Sequence, residues 1–163
     1  MRLYLLRHAD ADAASHWTDA DRPLSPAGKE EAETIAEAIR AMKLSFNAVF
    51  SSPLVRARQT AEIAVRYLPP VAIQPLEQLR PGSDPQSLFR ELQSLPRDTH
   101  ALLVSHEPFV SRCIGRLISA ESEPNISIKK ASLTCVEVGS PVQRGAGVLL
   151  WMITNENFRA IKS

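Results

Sequence analysis

Leu3-Tyr4-Leu5-Leu6-Arg7-His8 is an apolar run that stops abruptly on an arginine and a histidine. A short continuous run of this kind reads as a strand buried on both faces, which is the habit of a parallel sheet covered by helices. Working outward, Ala48–Phe50 and Ala101–Ser105 repeat the pattern, and Val71–Ile73 is a weaker fourth candidate. Between these runs the apolar spacing changes to that of helices. Pro26–Met42 places Ile35, Ala36, Ile39 and Met42 on one face, and Pro53–Leu68 does the same with Ala57, Ala61, Ala64, Val65 and Leu68. Each begins with serine then proline, so Ser25 and Ser52 are expected to cap them. Asp84-Pro85 repeats the start signal before Leu88, Phe89, Leu92 and Leu95, and Pro108 opens a fourth helix carrying Val110, Cys113, Ile114, Leu117 and Ile118. Ser132–Val138 and Gly147–Thr154 read as two closing strands that extend the sheet, partly antiparallel. The expectation is a three-layer α/β/α fold around a mostly parallel sheet, with residues 1–163 forming a single domain.

Composition narrows the function classes. The 163 residues are 44% hydrophobic and 23% charged, with a formal net charge of +1 from mixed, dispersed charges. No basic block favours nucleic acid or a membrane surface, so any anion site must be local. The apolar run Met1–Leu6 is too short for a signal segment or a spanning helix, which makes the cytoplasm the expected compartment; separately, a monomer is the expected state. Cys113 and Cys135 sit in apolar surroundings without metal or redox spacing and are expected as buried thiols.

In open α/β sheets, ligands bind beyond the carboxyl ends of the strands. Arg7-His8 follows the first strand, Ser51-Ser52-Pro53 leads to Arg56 after the second, and His106-Glu107-Pro108 follows the third. Two arginines and two histidines are thereby directed to one edge. Arginine grips two oxygens of a phosphoryl group through its planar fork, and a neutral imidazole can attack phosphorus through one nitrogen while the other is held as a donor. His16 and His100 lack such context, the aspartates of the Asp10–Leu24 loop read as a solvated face, and no spacing suggests a metal or another cofactor.

These residues resemble the histidine phosphatase superfamily, the phosphoglycerate mutase-like family. The resemblance rests on Arg7-His8 after a strand, on Ser51-Ser52-Pro53-Leu54-Val55-Arg56-Ala57-Arg58-Gln59-Thr60-Ala61, and on Val104-Ser105-His106-Glu107-Pro108. The short chain and the segment Asp21-Arg22-Pro23-Leu24-Ser25-Pro26-Ala27-Gly28 make it most similar to the phosphohistidine phosphatases of that family. The resemblance implies His8 as nucleophile, a phosphate pocket of Arg7, Arg56 and His106, and Arg22 as an entrance contact that binds substrate. It implies a partner too, a phosphorylated signalling protein bearing a histidine-containing phosphotransfer domain, and no metal. Two alternatives remain open, a small-molecule phosphomonoester phosphatase of the same superfamily and a non-catalytic phosphate-binding module. Two departures stand out. Ala9 replaces the glycine of the family's Arg-His-Gly, which disfavours positive φ, and the proton donor of larger members has only Glu77 and Asp84 as loose counterparts.

Overall fold

The computed structural model describes residues 1–14, 16–122 and 124–162. Among them, strands β1 (Arg2–Arg7), β2 (Ala48–Ser51), β3 (Ile73–Pro75), β4 (His100–Ser105), β5 (Leu133–Val138) and β6 (Gly147–Ile153) form one sheet in the order β3-β2-β4-β1-β5-β6. The pairings β2 with β3, β2 with β4 and β1 with β4 are parallel, while β5 lies antiparallel to β1 and β6 antiparallel to β5. The expected α/β/α architecture with its antiparallel closing strands is the one observed.

Helices α1 (Pro26–Ala41), α2 (Val55–Ala64), α3 (Pro85–Leu92), α4 (Phe109–Ile118) and α5 (Asn155–Lys162) cover both faces. The alternation of a strand assigns the sides. Leu3 and Leu5 of β1 join Leu88, Phe89, Phe109, Val110 and Ile114 in one core. Tyr4 and Leu6, pointing the other way, join Ile35, Ile39, Ala57 and Ala61. Because both faces are dry, the central strands carry no alternating polar positions, and that is why β1 reads as a continuous apolar run. Cys113 and Cys135 are buried free thiols, one in each core.

Several boundaries differ from the sequence expectation. The strand expected at Val71–Ile73 lies at Ile73–Pro75, and the helix expected over Pro53–Leu68 spans Val55–Ala64. Ser25 caps α1 as expected, its Oγ accepting from the Gly28 amide at 3.0 Å. Ser52 does not cap α2, whose flanking residue is Leu54 with no side-chain cap. Asp84 precedes α3 without capping it and pairs instead with Arg116. Helix α5 carries no long apolar period and escaped the sequence reading; Thr154 Oγ1 accepts from the Asn157 amide at 3.1 Å, and Phe158 packs inward. Among the described residues no helix is long and apolar enough to cross a membrane.

Candidate active site

Strand β4 lies between β1 and β2, with Arg7 opposite Ser105 and Ser51 opposite Val104. The next residue along each strand is therefore His8, Ser52 or His106, and the parallel register delivers all three to one edge of the sheet. Backbone bonds extend the ladder into the site: the His8 amide donates to Ser105 O and the Ser52 amide to Val104 O, both at 2.9 Å.

His8 is held in one tautomer. Its Nδ1 lies 2.7 Å from Ala9 O, and a carbonyl only accepts, so Nδ1 carries the proton. Nε2 is left with its lone pair and accepts from Arg56 Nε at 3.3 Å. Burial pushes the His8 pKa down to about 4, with the charges of Arg56 and Arg7 acting in the same direction against the hydrogen bond to Ala9. The ring is neutral and basic at one defined nitrogen.

His106 stands beside it, ring centroids 4.9 Å apart. Its Nε2 lies 2.8 Å from Ser52 Oγ, which also accepts from the Leu54 amide at 3.4 Å. A serine hydroxyl can donate to Nε2 or accept from it, so this contact fixes the position of the ring, and Nδ1 has no hydrogen-bond partner among the described residues. Burial pushes this pKa down to about 3, helped by His8 and Arg56.

The cations complete the edge. Arg56 is 4% exposed; its Nη1 donates to Asp19 O at 2.6 Å and its Nη2 to Asp19 Oδ2 at 3.2 Å. Arg7 donates through Nη1 to Ile128 O at 2.6 Å. Arg22 reaches the site through Asp19, donating from Nη2 to Oδ1 at 2.9 Å. Burial works to raise the Asp19 pKa, but the Arg56 and Arg22 guanidiniums outweigh it and hold the carboxylate below its usual range.

The supporting backbone explains how Ala9 is accommodated. Among the described residues, positive φ outside glycine occurs at Lys43 and Ala131, so the turn after His8 does not need the glycine of the family motif. The Ala9 methyl is buried in the core, and its amide donates to Thr60 Oγ1 at 3.2 Å. A glycine is required one layer out, where a Cβ on Gly28 would fall 1.9 Å from Asp10 O.

The structure thus brings together His8, Arg56 and His106, flanks them with Arg7, and ties in Arg22. Glu77 and Asp84 lie apart. Glu77 is paired with Arg80 at 2.5 Å, Asp84 with Arg116, and among the described residues neither carboxylate bonds to His8, Arg56 or His106. Sequence reading missed Ser52, Thr60 and Asp19. Ser52 stands just past β2, as His8 and His106 stand past theirs, and Thr60 follows Arg56 by one helical turn; both placements were available signals. Asp19, set aside as part of a solvated loop, carried none.

The chain is similar in sequence and fold to known proteins. The family model described as histidine phosphatase superfamily (branch 1) matches residues 3–81. The phosphohistidine phosphatase SixA of Escherichia coli K12 is 31% identical over 169 aligned residues, covering 100% of this chain and 99% of that protein. An uncharacterised protein of Picosynechococcus is 32% identical over 147 residues, 86% of this chain and 87% of its own. A solved structure of the protein histidine phosphatase SixA complexed with tungstate superposes with a TM-score of 0.84 at 27% identity, covering 96% of this chain and 99% of that one.

Proposed function

The chain belongs to the histidine phosphatase superfamily and is a phosphatase, and on that premise we propose that it removes phosphate from phosphohistidine on a histidine-containing phosphotransfer domain. The observation that carries this reading is the His8 tautomer, with Nδ1–H held by Ala9 O and the Nε2 lone pair turned to Arg56. His8 Nε2 attacks phosphorus, the bond between phosphorus and the substrate imidazole breaks, and its electron pair leaves with that imidazole. Arg56, Arg7 and His106 stabilise the charge on the transferring oxygens. Water then attacks the phosphoryl group on His8, releasing inorganic phosphate and restoring the neutral ring.

A leaving imidazole already protonated on its other nitrogen departs neutral and needs no strong acid. A site in which Glu77 and Asp84 stand apart from the histidines suits such a substrate better than an alkyl phosphate ester. The name of the E. coli relative points the same way, since that protein is a phosphohistidine phosphatase.

The test is to incubate the purified protein with a phosphorylated phosphotransfer domain, without added metal, beside a His8→Ala control. Phosphate loss that requires His8 is expected. No loss from the phosphoprotein, with His8-dependent turnover of p-nitrophenyl phosphate, would assign a small-molecule ester instead; turnover of neither would leave a phosphate-binding module.

A further inference from the structure

The buried fork of Arg56 is already filled. Nε is held by His8, and both terminal nitrogens are taken by one residue of an exposed loop, Nη1 by the carbonyl of Asp19 and Nη2 by its carboxylate. The other carboxylate oxygen takes Arg22, so one anion spans both guanidiniums. Multiple oxygens on a guanidinium fork form the pattern that a phosphoryl group would make there. The Asp19 side chain is nevertheless 66% exposed, against 5% for that of Arg56. The loop is tied at its base by Asp12 N to Pro23 O at 2.8 Å and by Val55 N to Ala20 O at 3.0 Å. Two residues before Asp19, Trp17 packs against His16 with ring centroids 4.7 Å apart in a tilted arrangement and remains 39% exposed.

Resting on the reading of Arg56 as a phosphoryl ligand, we propose that Asp19 is a specificity-determining residue: it occupies the terminal nitrogens of Arg56 until a phosphoryl group replaces it, which disfavours small free phosphates relative to a phosphoprotein that also engages the loop. An incoming phosphate must displace an internal anion before it gains Arg56. A small ester has only its own phosphoryl contacts to offset that displacement. A protein surface adds contact with Trp17, so binding energy remote from phosphorus drives the exchange. Asp19 touches the arginines and not the reacting atoms, and its effect is on which substrate gains them.

The test separates this role from one in which Asp19 merely positions Arg56. Tungstate and inorganic phosphate are titrated calorimetrically into the protein and into Asp19→Ala and Asp19→Asn. Both variants are expected to bind tungstate about fivefold more tightly, equivalent to about 1 kcal/mol; unchanged or weaker binding overturns the proposal. In kinetics, Asp19→Ala is expected to raise kcat/KM for p-nitrophenyl phosphate more than for the phosphoprotein, and Trp17→Ala to lower it for the phosphoprotein alone. Equal changes on both substrates overturn the specificity role. Should neither substrate be turned over, the phosphatase reading fails while the tungstate comparison still decides what Asp19 does.

Discussion

Ser52 Oγ lies 2.8 Å from His106 Nε2 across 54 residues of sequence, and this contact holds the imidazole in place beside His8. Ser52→Ala removes that anchor, so the orientation of the His106 ring toward a phosphoryl oxygen is no longer fixed. The expected result is a loss of about tenfold in kcat, corresponding to one hydrogen bond of about 1.4 kcal/mol, with KM little changed. Steady-state kinetics on the phosphoprotein decide it, and kcat equal to the parent's would show that the serine serves only the backbone.

Arg56→Lys keeps the charge and removes the fork. A lysine ammonium cannot reach His8 Nε2 and the phosphoryl oxygens from one planar group. Turnover should fall about a hundredfold or more, in the range seen when a preorganised donor is withdrawn from a developing negative charge. Activity near that of the parent would mean that a point charge suffices at this position.

Glu77→Gln and Asp84→Asn should leave turnover of the phosphoprotein within about twofold, the range of ordinary surface changes. Both carboxylates are spent on surface ion pairs with Arg80 and Arg116. A drop of two orders of magnitude in either variant would identify the missing acid and argue for an ester substrate.

Gly28→Ala introduces a Cβ 1.9 Å from Asp10 O, inside the first turn of α1. Neither partner is a flexible side chain, so the loop after His8 must shift. Overpacking of this kind costs about 1–3 kcal/mol, and urea denaturation should show the midpoint fall by a matching amount. An unchanged midpoint would mean that the Asp10 backbone yields freely.

Stability should decline on mild acidification. The folded rings of His8 and His106 have pKa values near 4 and 3, while an unfolded histidine titrates near 6.5. As pH falls from about 6.5 the unfolded chain takes up protons that the folded chain refuses, so stability drops by up to about 1.4 kcal/mol per pH unit for each ring. It is fully present above that range. Denaturation midpoints measured between pH 7 and 4.5 should slope downward, and His106→Asn should reduce the slope. A flat profile would show that the rings are solvated.

The fold was readable from the chain because its determinants are local. A strand buried on both faces writes a continuous apolar run, and a helix writes a 3.6-residue period behind a capping signal, so β1, β2, β4, α1, α3 and α4 announce themselves within a few residues of their ends. Helix α5, short and mostly polar, does not.

The sequence by itself determined that His8, Arg56 and His106 are directed to one edge of the sheet. His8 and His106 stand just beyond the ends of strands that run parallel, Arg56 lies in the first turn of the helix that follows β2, and parallel strands deliver their ends to one edge. Tertiary structure alone decided how those side chains are held. The Ser52–His106 contact spans 54 residues and the Asp19–Arg56 contact 37, and neither partner advertises the other through period, cap or motif. A hydrogen bond between distant residues depends on where packing sets two backbones, to within a few tenths of an ångström, and that geometry exists only once the sheet has formed between its helices.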